Sequence, residues 1–242
     1  MHLGLILWSL LPGALWAHWL YKRDVFQPEP LGLVAKAFFV GMLLTAPAIA
    51  LSASVRVHLP VDPTLAEDSW IWAFEASFLR TAPLEEALKF AAVYLFFFHH
   101  KEFDEPIDGL IYSGTVALGF ASAENIFYLA QYGAEVLPSR AFLAVPGHFL
   151  FAASFGYAMG LRTVPATPDE PRRLFRAPWD LAAALLVSIA AHGAYNFCLL
   201  LAQHQQQPTW GWFGALVVLG VLGILWRSYV VRLDRLSPFR PR

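Results

Sequence analysis

Long apolar stretches, separated by short polar connections, run through most of the 242-residue chain. A membrane-spanning helix needs about 20 mainly apolar residues to cross a hydrocarbon core roughly 30 Å thick, and continuous apolar runs favour helices over barrels in lipid. The pattern therefore predicts one integral membrane domain, residues 1–242, an all-α polytopic membrane helix bundle of about seven transmembrane helices. The seven segments are Leu3 to Leu20, Leu31 to Ser54, Trp70 to Phe98, Ile107 to Tyr132, Arg140 to Leu161, Trp179 to Ala202 and Trp210 to Val231.

The first and third segments depart from a simple span. Lys22 and Arg23 follow the first apolar run, whereas a signal peptide carries its positive charge before that run, so we expect a retained first helix. The third segment is too long for one crossing. Pro83, near its middle, predicts either a kink or an interfacial stretch at about 70–78 followed by the membrane helix.

The distribution of Lys and Arg predicts the orientation of the bundle. If the N-terminus is outside, twelve basic residues fall in inner connections and the inner C-terminal region, against two, Arg56 and Arg140, on the outer side. Cytoplasmic connections keep such an excess. We therefore expect the N-terminus outside and the C-terminus inside.

Composition narrows the class of protein further. The chain is 57% hydrophobic and only 14% charged, with a formal net charge of -1, which is outside the range of ordinary soluble domains and gives no reason to expect nucleic-acid binding. Its one cysteine, Cys198, lies in an apolar run and leaves no disulfide framework or thiolate metal cluster available.

Polar side chains nevertheless occur inside the predicted spans. An ionisable residue there costs roughly 2.5–3.5 kcal/mol on insertion scales and usually faces a bundle interior or a water-filled cavity. At about 1.5 Å per residue, several of them fall at a similar depth on four consecutive helices. This predicts one functional polar site, formed by Glu85, Glu86, Lys89, Glu124, Asn125, His148, His192 and Asn196.

The chemistry open to this set is limited. A carboxylate held in an apolar cavity can take a proton from water, and a histidine, amide or lysine can orient that water or stabilise an oxyanion. The same Glu and His side chains could instead hold zinc. Glu85 and Lys89, four residues apart, could also form a simple ion pair within one helix.

A second acidic run precedes the fourth segment. Pro106 suits a first helical position, and Asp104 or Glu105 suits the cap before it. We therefore expect Asp104, Glu105 and Asp108 to initiate that helix rather than to perform chemistry.

Together these motifs resemble the PrsW family of intramembrane proteases, which is related more distantly to CAAX prenyl proteases and bacterial CPBP proteins. The resemblance covers a core of about residues 75–205, and the order and separation of its motifs make it specific. It rests on 83–90 (PLEEALKF), 102–109 (EFDEPIDG), 117–125 (ALGFASAEN), 146–148 (PGH) with 156–157 (GY), and 192–197 (HGAYNF).

The resemblance implies a peptidase of the bacterial cytoplasmic membrane that cuts membrane-anchored proteins within the lipid bilayer. The best-known family role is the first cut of an anti-sigma factor during stress signalling. By the same resemblance, Glu85 and Glu86 form the catalytic motif, and Glu124, His148 and His192 complete the site. Asn196 departs from the Asp expected four residues after His192, which suits it to be an oxyanion donor rather than a base.

We therefore expect a glutamic-type intramembrane endopeptidase in which Glu86, or the Glu85 and Glu86 pair, activates water. His148 and His192 assist, Lys89 sets the charge of the glutamates and no cofactor is needed. The alternatives are a metal-dependent hydrolase, a proton or ion transporter that uses the same groups as a relay, and a non-catalytic scaffold. The ligands of the metal alternative, zinc, are Glu86, Glu124, His148 and His192.

Overall fold

The computed structural model describes residues 3–58, 69–164, 178–204 and 208–240. All regular secondary structure in these ranges is helical, which confirms the predicted all-α class. The α-helices are α1 (Leu3–Tyr21), α2 (Leu31–His58), α3 (Trp70–Phe74), α4 (Ala82–Phe96), α5 (Asp108–Tyr132), α6 (Leu137–Ser139), α7 (Val145–Gly160), α8 (Pro178–His204) and α9 (Pro208–Leu236).

Among the described residues, five helical stretches are long and apolar enough to cross a membrane: Leu3–Tyr21, Leu31–Val55, Ala134–Gly160, Asp180–Gln203 and Thr209–Leu236. The other two predicted segments, around α4 and α5, are also helical but more polar. Both contribute residues to the candidate site and pack inside the bundle. Less of their surface faces lipid than in an outer helix, so they can carry more polar residues.

Helix α5 is the centre of the bundle. Of its 25 residues, 18 are buried, and it packs against α1, α2 and α7. Its crossing with α2 is close because a glycine lies on each side. A Cβ atom at Gly119 would overlap the Phe38 carbonyl, and one at Gly41 would overlap the Val116 carbonyl. Small residues allow two helix backbones to approach in this way, so α5 packs in direct backbone contact with α2.

Two stretches of π-helix interrupt the regular winding, and each precedes a proline. Glu75–Thr81 connects α3 to α4, ahead of Pro83, and Arg140–Ala144 connects α6 to α7, ahead of Pro146. Proline supplies no backbone N–H, and a wide turn is one way for a helix to absorb that loss. The backbone stays helical from Trp70 to Phe96, and the change of helix type ends just before Pro83. The choice between a kink and an interfacial stretch at this segment stays a prediction.

The start of α5 differs from the prediction. The helix begins at Asp108 instead of Pro106, and neither Asp104 nor Glu105 provides a side-chain cap. Instead the Asp108 carboxylate accepts a hydrogen bond from the backbone N–H of Glu105 at 2.7 Å. Asp104 is exposed and accepts a hydrogen bond from Gln27 at 3.3 Å. The expected capping roles are therefore wrong, because the chain makes one further turn before the helix starts.

Candidate functional site

Lys89 lies at the centre of the polar interior. Its side chain is 0% exposed, and its ammonium group contacts residues of two other helices. It donates to Glu86 at 2.8 Å and lies 2.9 Å from Nδ1 of His148. It also lies 4.4 Å from the centre of the Phe120 ring, which is within reach of a cation–π interaction. A buried ammonium needs this many acceptors because it has lost its water.

Glu86 joins α4 to α8. One oxygen of its fully buried carboxylate accepts from Lys89 and also lies 2.8 Å from Nδ1 of His192. A carboxylate can only accept, so Nδ1 of His192 carries the hydrogen and Nε2 keeps a lone pair. The ring of His192 stacks on Phe151 at 4.6 Å between centroids. Glu86 and Phe151 thus fix both the tautomer and the plane of His192.

Glu85 is the least engaged of the three glutamates. Its Oε2 atom is 3.5 Å from the Lys89 ammonium and 4.0 Å from Nε2 of His192. The space between Oε2 and Nε2 is wide enough for one water to hydrogen-bond both atoms.

Glu124 orients the other histidine. Its Oε2 atom lies 3.1 Å from Nε2 of His148. Lysine has only donors, so His148 must accept at Nδ1 and donate from Nε2 to Glu124. Both histidines therefore have a carboxylate partner on one ring nitrogen and turn the other nitrogen toward the interior.

Arg140 is absent from the predicted site, because its position in the sequence assigns it to the outer side of the membrane. Its guanidinium donates to Glu124 at 2.5 Å and to the Asn125 side-chain oxygen at 2.6 Å. The group also lies 3.7 Å from the centre of the Tyr128 ring. Asn125 in turn donates to the Ser9 carbonyl at 3.2 Å. The signal available in the sequence was a lone arginine at the start of an apolar segment, 15 and 16 residues after Asn125 and Glu124.

These contacts form one continuous network. It runs from Arg140 through Glu124, His148, Lys89 and Glu86 to His192. Lys89 compensates Glu86, and Arg140 compensates Glu124, each at 2.8 Å or less. Glu85 shares Lys89 only at the longer distance.

A cavity of about 740 Å³ reaches the network from the end of the bundle where α5 finishes. Asn196 lines it, and within the described part of the chain its side chain has no hydrogen-bond partner. Both π-helical stretches contribute to the wall. The polar residues along the cavity are Ser52, Ser77, Arg80, Thr81, Glu124, Tyr128, Tyr132, Glu135, Ser139, Arg140, His148, His192, Tyr195, Asn196 and Gln203.

The donor atoms also fit a metal ion in kind and spacing. Glu85, His148 and His192 are all buried and each offers one ligand atom, with these atoms within 4.8 Å of one another. One carboxylate and two imidazoles are a common catalytic zinc set, and carboxylates on the far nitrogens of the histidines are its usual support. The predicted ligand set, Glu86, Glu124, His148 and His192, shares both histidines with this group but has Glu86 and Glu124 in place of Glu85. These two instead contact the histidines.

Comparison with known proteins identifies the family of the chain. The model of the PrsW family, described as intramembrane metalloproteases, matches residues 29–225, a wider region than the predicted core of 75–205. Protease PrsW of Geobacillus kaustophilus is 35% identical over 218 residues, which cover 90% of this chain and 87% of the relative. Protease PrsW of Bacillus subtilis is 32% identical over 191 residues, 79% of this chain and 80% of the relative.

Protease PrsW of Clostridioides difficile is 27% identical over 99% of this chain and 92% of the relative. No solved structure matches the chain. Because the family match and the relatives each cover most of the sequence, this chain belongs to the PrsW family of intramembrane proteases, as a multi-pass bacterial membrane protein.

Proposed function

We propose that the polar cavity is the active site and that the chain cleaves peptide bonds with glutamate-activated water, with Glu85 as the general base. The observation that carries this assignment is the unequal pairing of the three glutamates. Glu86 and Glu124 each have a cation and a histidine within 3.1 Å. Glu85 has only the longer contacts and faces Nε2 of His192 across 4.0 Å.

The hydrolysis follows from this geometry. A water between Glu85 and His192 gives one proton to Glu85 while Nε2 of His192 accepts its other hydrogen in a hydrogen bond. The water oxygen forms a bond to the carbonyl carbon of the substrate, and the carbonyl oxygen becomes an oxyanion that the Asn196 amide can stabilise. When the carbon–nitrogen bond breaks, Glu85 returns the proton to the leaving amine.

The remaining polar residues act by positioning. Glu86 fixes the tautomer and orientation of His192, as the aspartate does for the histidine of a serine-protease triad. Lys89 holds Glu86 and limits the negative charge around Glu85. Arg140 and Asn125 hold Glu124, which in turn holds His148. This division of roles gives Glu85 the base function that the sequence left open between Glu85 and Glu86.

We also propose the substrate and the topology. Seven helices cross the membrane, with the N-terminus outside and the C-terminus inside, as the distribution of basic residues favours. The cavity then opens on the outer side, since it lies where α5 ends. A single-span anchored protein fits a site reached from that side, and an anti-sigma factor receiving its first cut is the expected class from the sequence resemblance.

A zinc-dependent mechanism is the second candidate, because the Glu85, His148 and His192 donors are grouped and their histidines are supported by carboxylates. Zinc held by these three residues would supply a Lewis acid and a more acidic bound water. We favour the metal-free mechanism because the Lys89 ammonium lies 2.9 Å from His148 Nδ1 and 3.5 Å from Glu85. A divalent cation beside it meets Coulomb repulsion.

Replacing Glu85 and Glu86 one at a time should show which of them is the general base and which positions His192. Glu85→Gln should lower kcat about 10²–10⁴-fold without lowering the melting temperature, because it removes a buried charge that has no dedicated partner. Glu86→Gln should lower activity and also stability, by about 3–5 kcal/mol, since Lys89 loses its nearest anion. The measurements are cleavage of tagged single-span substrates by purified protein and thermal unfolding in detergent.

Glu75→Gln is the matched control, because Glu75 lies on the same continuous helical stretch and, among the described residues, forms no ion pair with Lys89 or His192. It should keep wild-type turnover. If Glu85→Gln turned over within tenfold of wild type while Glu86→Gln was inactive with an unchanged melting temperature, the base would be Glu86.

Arg140 should be coupled energetically to Glu124. Arg140→Ala leaves a largely buried carboxylate without its cation and should cost about 3–5 kcal/mol of stability. Adding Glu124→Gln to Arg140→Ala should recover much of that loss, so the double-mutant cycle should be strongly non-additive. Arg140→Lys should lower kcat more than KM, because lysine cannot contact Glu124 and Asn125 with one planar fork. Additive losses in the cycle would mean that the pair does not hold the site.

The topology can be tested by labelling single cysteines in a Cys198→Ser background. Glu135→Cys, near the cavity mouth, should react with a membrane-impermeant reagent in intact cells. Asp169→Cys, in a connection outside the described residues, should react only after the membrane is opened. Outside labelling at position 169 would contradict the proposed orientation.

The metal question is decided by elemental analysis paired with activity. Protein purified in its active form should contain well below one zinc per chain and should keep its turnover after chelation. Stoichiometric zinc, whose removal and return switch cleavage off and on, would make Glu85, His148 and His192 ligands and exclude the metal-free mechanism.

A further inference from the structure

A second group of carboxylates lies at the opposite end of α5 from the cavity. Asp24 and Glu29 come from the connection between α1 and α2, and Asp108 is the first residue of α5. One ligand oxygen from each lies within 4.8 Å of the others. All three residues are buried, with exposures of 4%, 4% and 0%. The group therefore joins two segments that are about 80 residues apart in sequence.

Two buried oxygens of this group accept no hydrogen bond from any donor group in the described part of the chain. Asp24 accepts from the backbone of Glu29 at 3.0 Å with Oδ2, and Asp108 accepts from Glu105 with Oδ2. In each residue the other oxygen, Oδ1, is buried and accepts no hydrogen bond from a donor group of the described residues. The carboxyl groups of Asp108 and Glu29 lie within hydrogen-bond distance of one another, which requires a proton or a cation between them. Tyr112 donates to Glu29. Buried unsatisfied oxygens are rare in native proteins and are typical of sites that bind a water molecule or an ion.

The group also lacks a compensating charge. Within the described ranges, no Lys or Arg forms an ion pair with Asp24, Glu29 or Asp108. Burial raises the pKa of Asp24 to about 6 and that of Glu29 to about 7. Neighbouring carboxylates, Glu105 and Asp104 for Asp24, act in the same direction. Either protons or a cation must offset this much buried negative charge.

We propose that Asp24, Glu29 and Asp108 bind a hard divalent cation of the calcium or magnesium class. The donors are all oxygens, which these ions prefer, whereas zinc favours nitrogen and sulfur. Ligands on opposite sides of a calcium ion lie about 4.6–5.2 Å apart, so an upper separation of 4.8 Å is compatible with a shared ion.

This site is separate from the catalytic cavity. Glu124 follows Asp108 by 16 residues of the same helix, which corresponds to about 24 Å along its axis. The bound ion ties the connection between α1 and α2 to the start of α5 and so stabilises the bundle at that end. The proposal does not depend on the proposed proteolytic mechanism.

The test uses the full chain purified in detergent and treated with EDTA. Titration with CaCl₂ and, separately, with MgCl₂ should raise the melting temperature saturably with at least one of the two ions, by about 5 °C at 100 times the dissociation constant. TbCl₃ should give aromatic-sensitised luminescence, because Tyr112 contacts Glu29, and the stabilising ion should displace it. The titrations are made in a Glu85→Gln/His192→Ala background, so that the cavity contributes no ligands from these two residues.

Asp108→Asn should weaken ion binding at least tenfold, and Asp24→Asn should do the same if Asp108→Asn does not fold. Glu102→Gln is the matched control, because Glu102 lies in the connection just before α5 but pairs with Lys101 at 3.1 Å, and it should bind like the parent. The proposal is wrong if the parent shows no saturable response to either ion, or if both Asn variants respond as the parent does. It is also wrong if the Asn variants have higher melting temperatures than the parent while neither ion changes the melting temperature of the parent. Protons shared between the carboxyl groups would then offset their charge.

Discussion

A fully buried ammonium group must be surrounded by acceptors, and the acceptors around Lys89 come from residues that the site needs. Lys89 and Glu86 lie on α4, His148 lies on α7, and Glu86 extends the contact to His192 on α8. Moving an unpaired charge of this kind into the protein interior costs far more than one hydrogen bond returns. The same contacts therefore fix both the packing of these three helices and the geometry of the polar site.

The sequence predicts those parts of the molecule that depend on local periodicity. Apolar runs place every long helix, and the spacing of Glu86 and Lys89 puts both on one face. Depth along alternating helices indicates that Glu124, His148 and His192 lie near each other. The rotation of each helix about its own axis cannot be predicted from periodicity in this way, because it depends on tertiary packing. For this reason the sequence does not reveal which glutamate contacts which histidine.

Arg140 illustrates the same limit. By position it belongs to a connection at the membrane surface, and only the folded chain turns its guanidinium inward to Glu124 and Asn125. The carboxylates near the start of α5 are a second case. Asp108 looks like a residue of the first helical turn, whereas its neighbours Asp24 and Glu29 come from a distant segment. Contacts between sequence-distant polar residues leave no periodic signal.

The π-helical stretch Glu75–Thr81 determines the direction, about the helix axis, in which the side chains that follow it point. A wide turn holds about one residue more than an α-helical turn, and each residue of an α-helix advances by 100°. Wound as uninterrupted α-helix, the same sequence would rotate Glu85 and Glu86 by roughly 100° about the axis, away from His192. The angular position of the two glutamates is thus set by the backbone of the π-helical stretch, which ends four residues before Glu85. Loss of a single residue there would misalign both glutamates without changing either side chain.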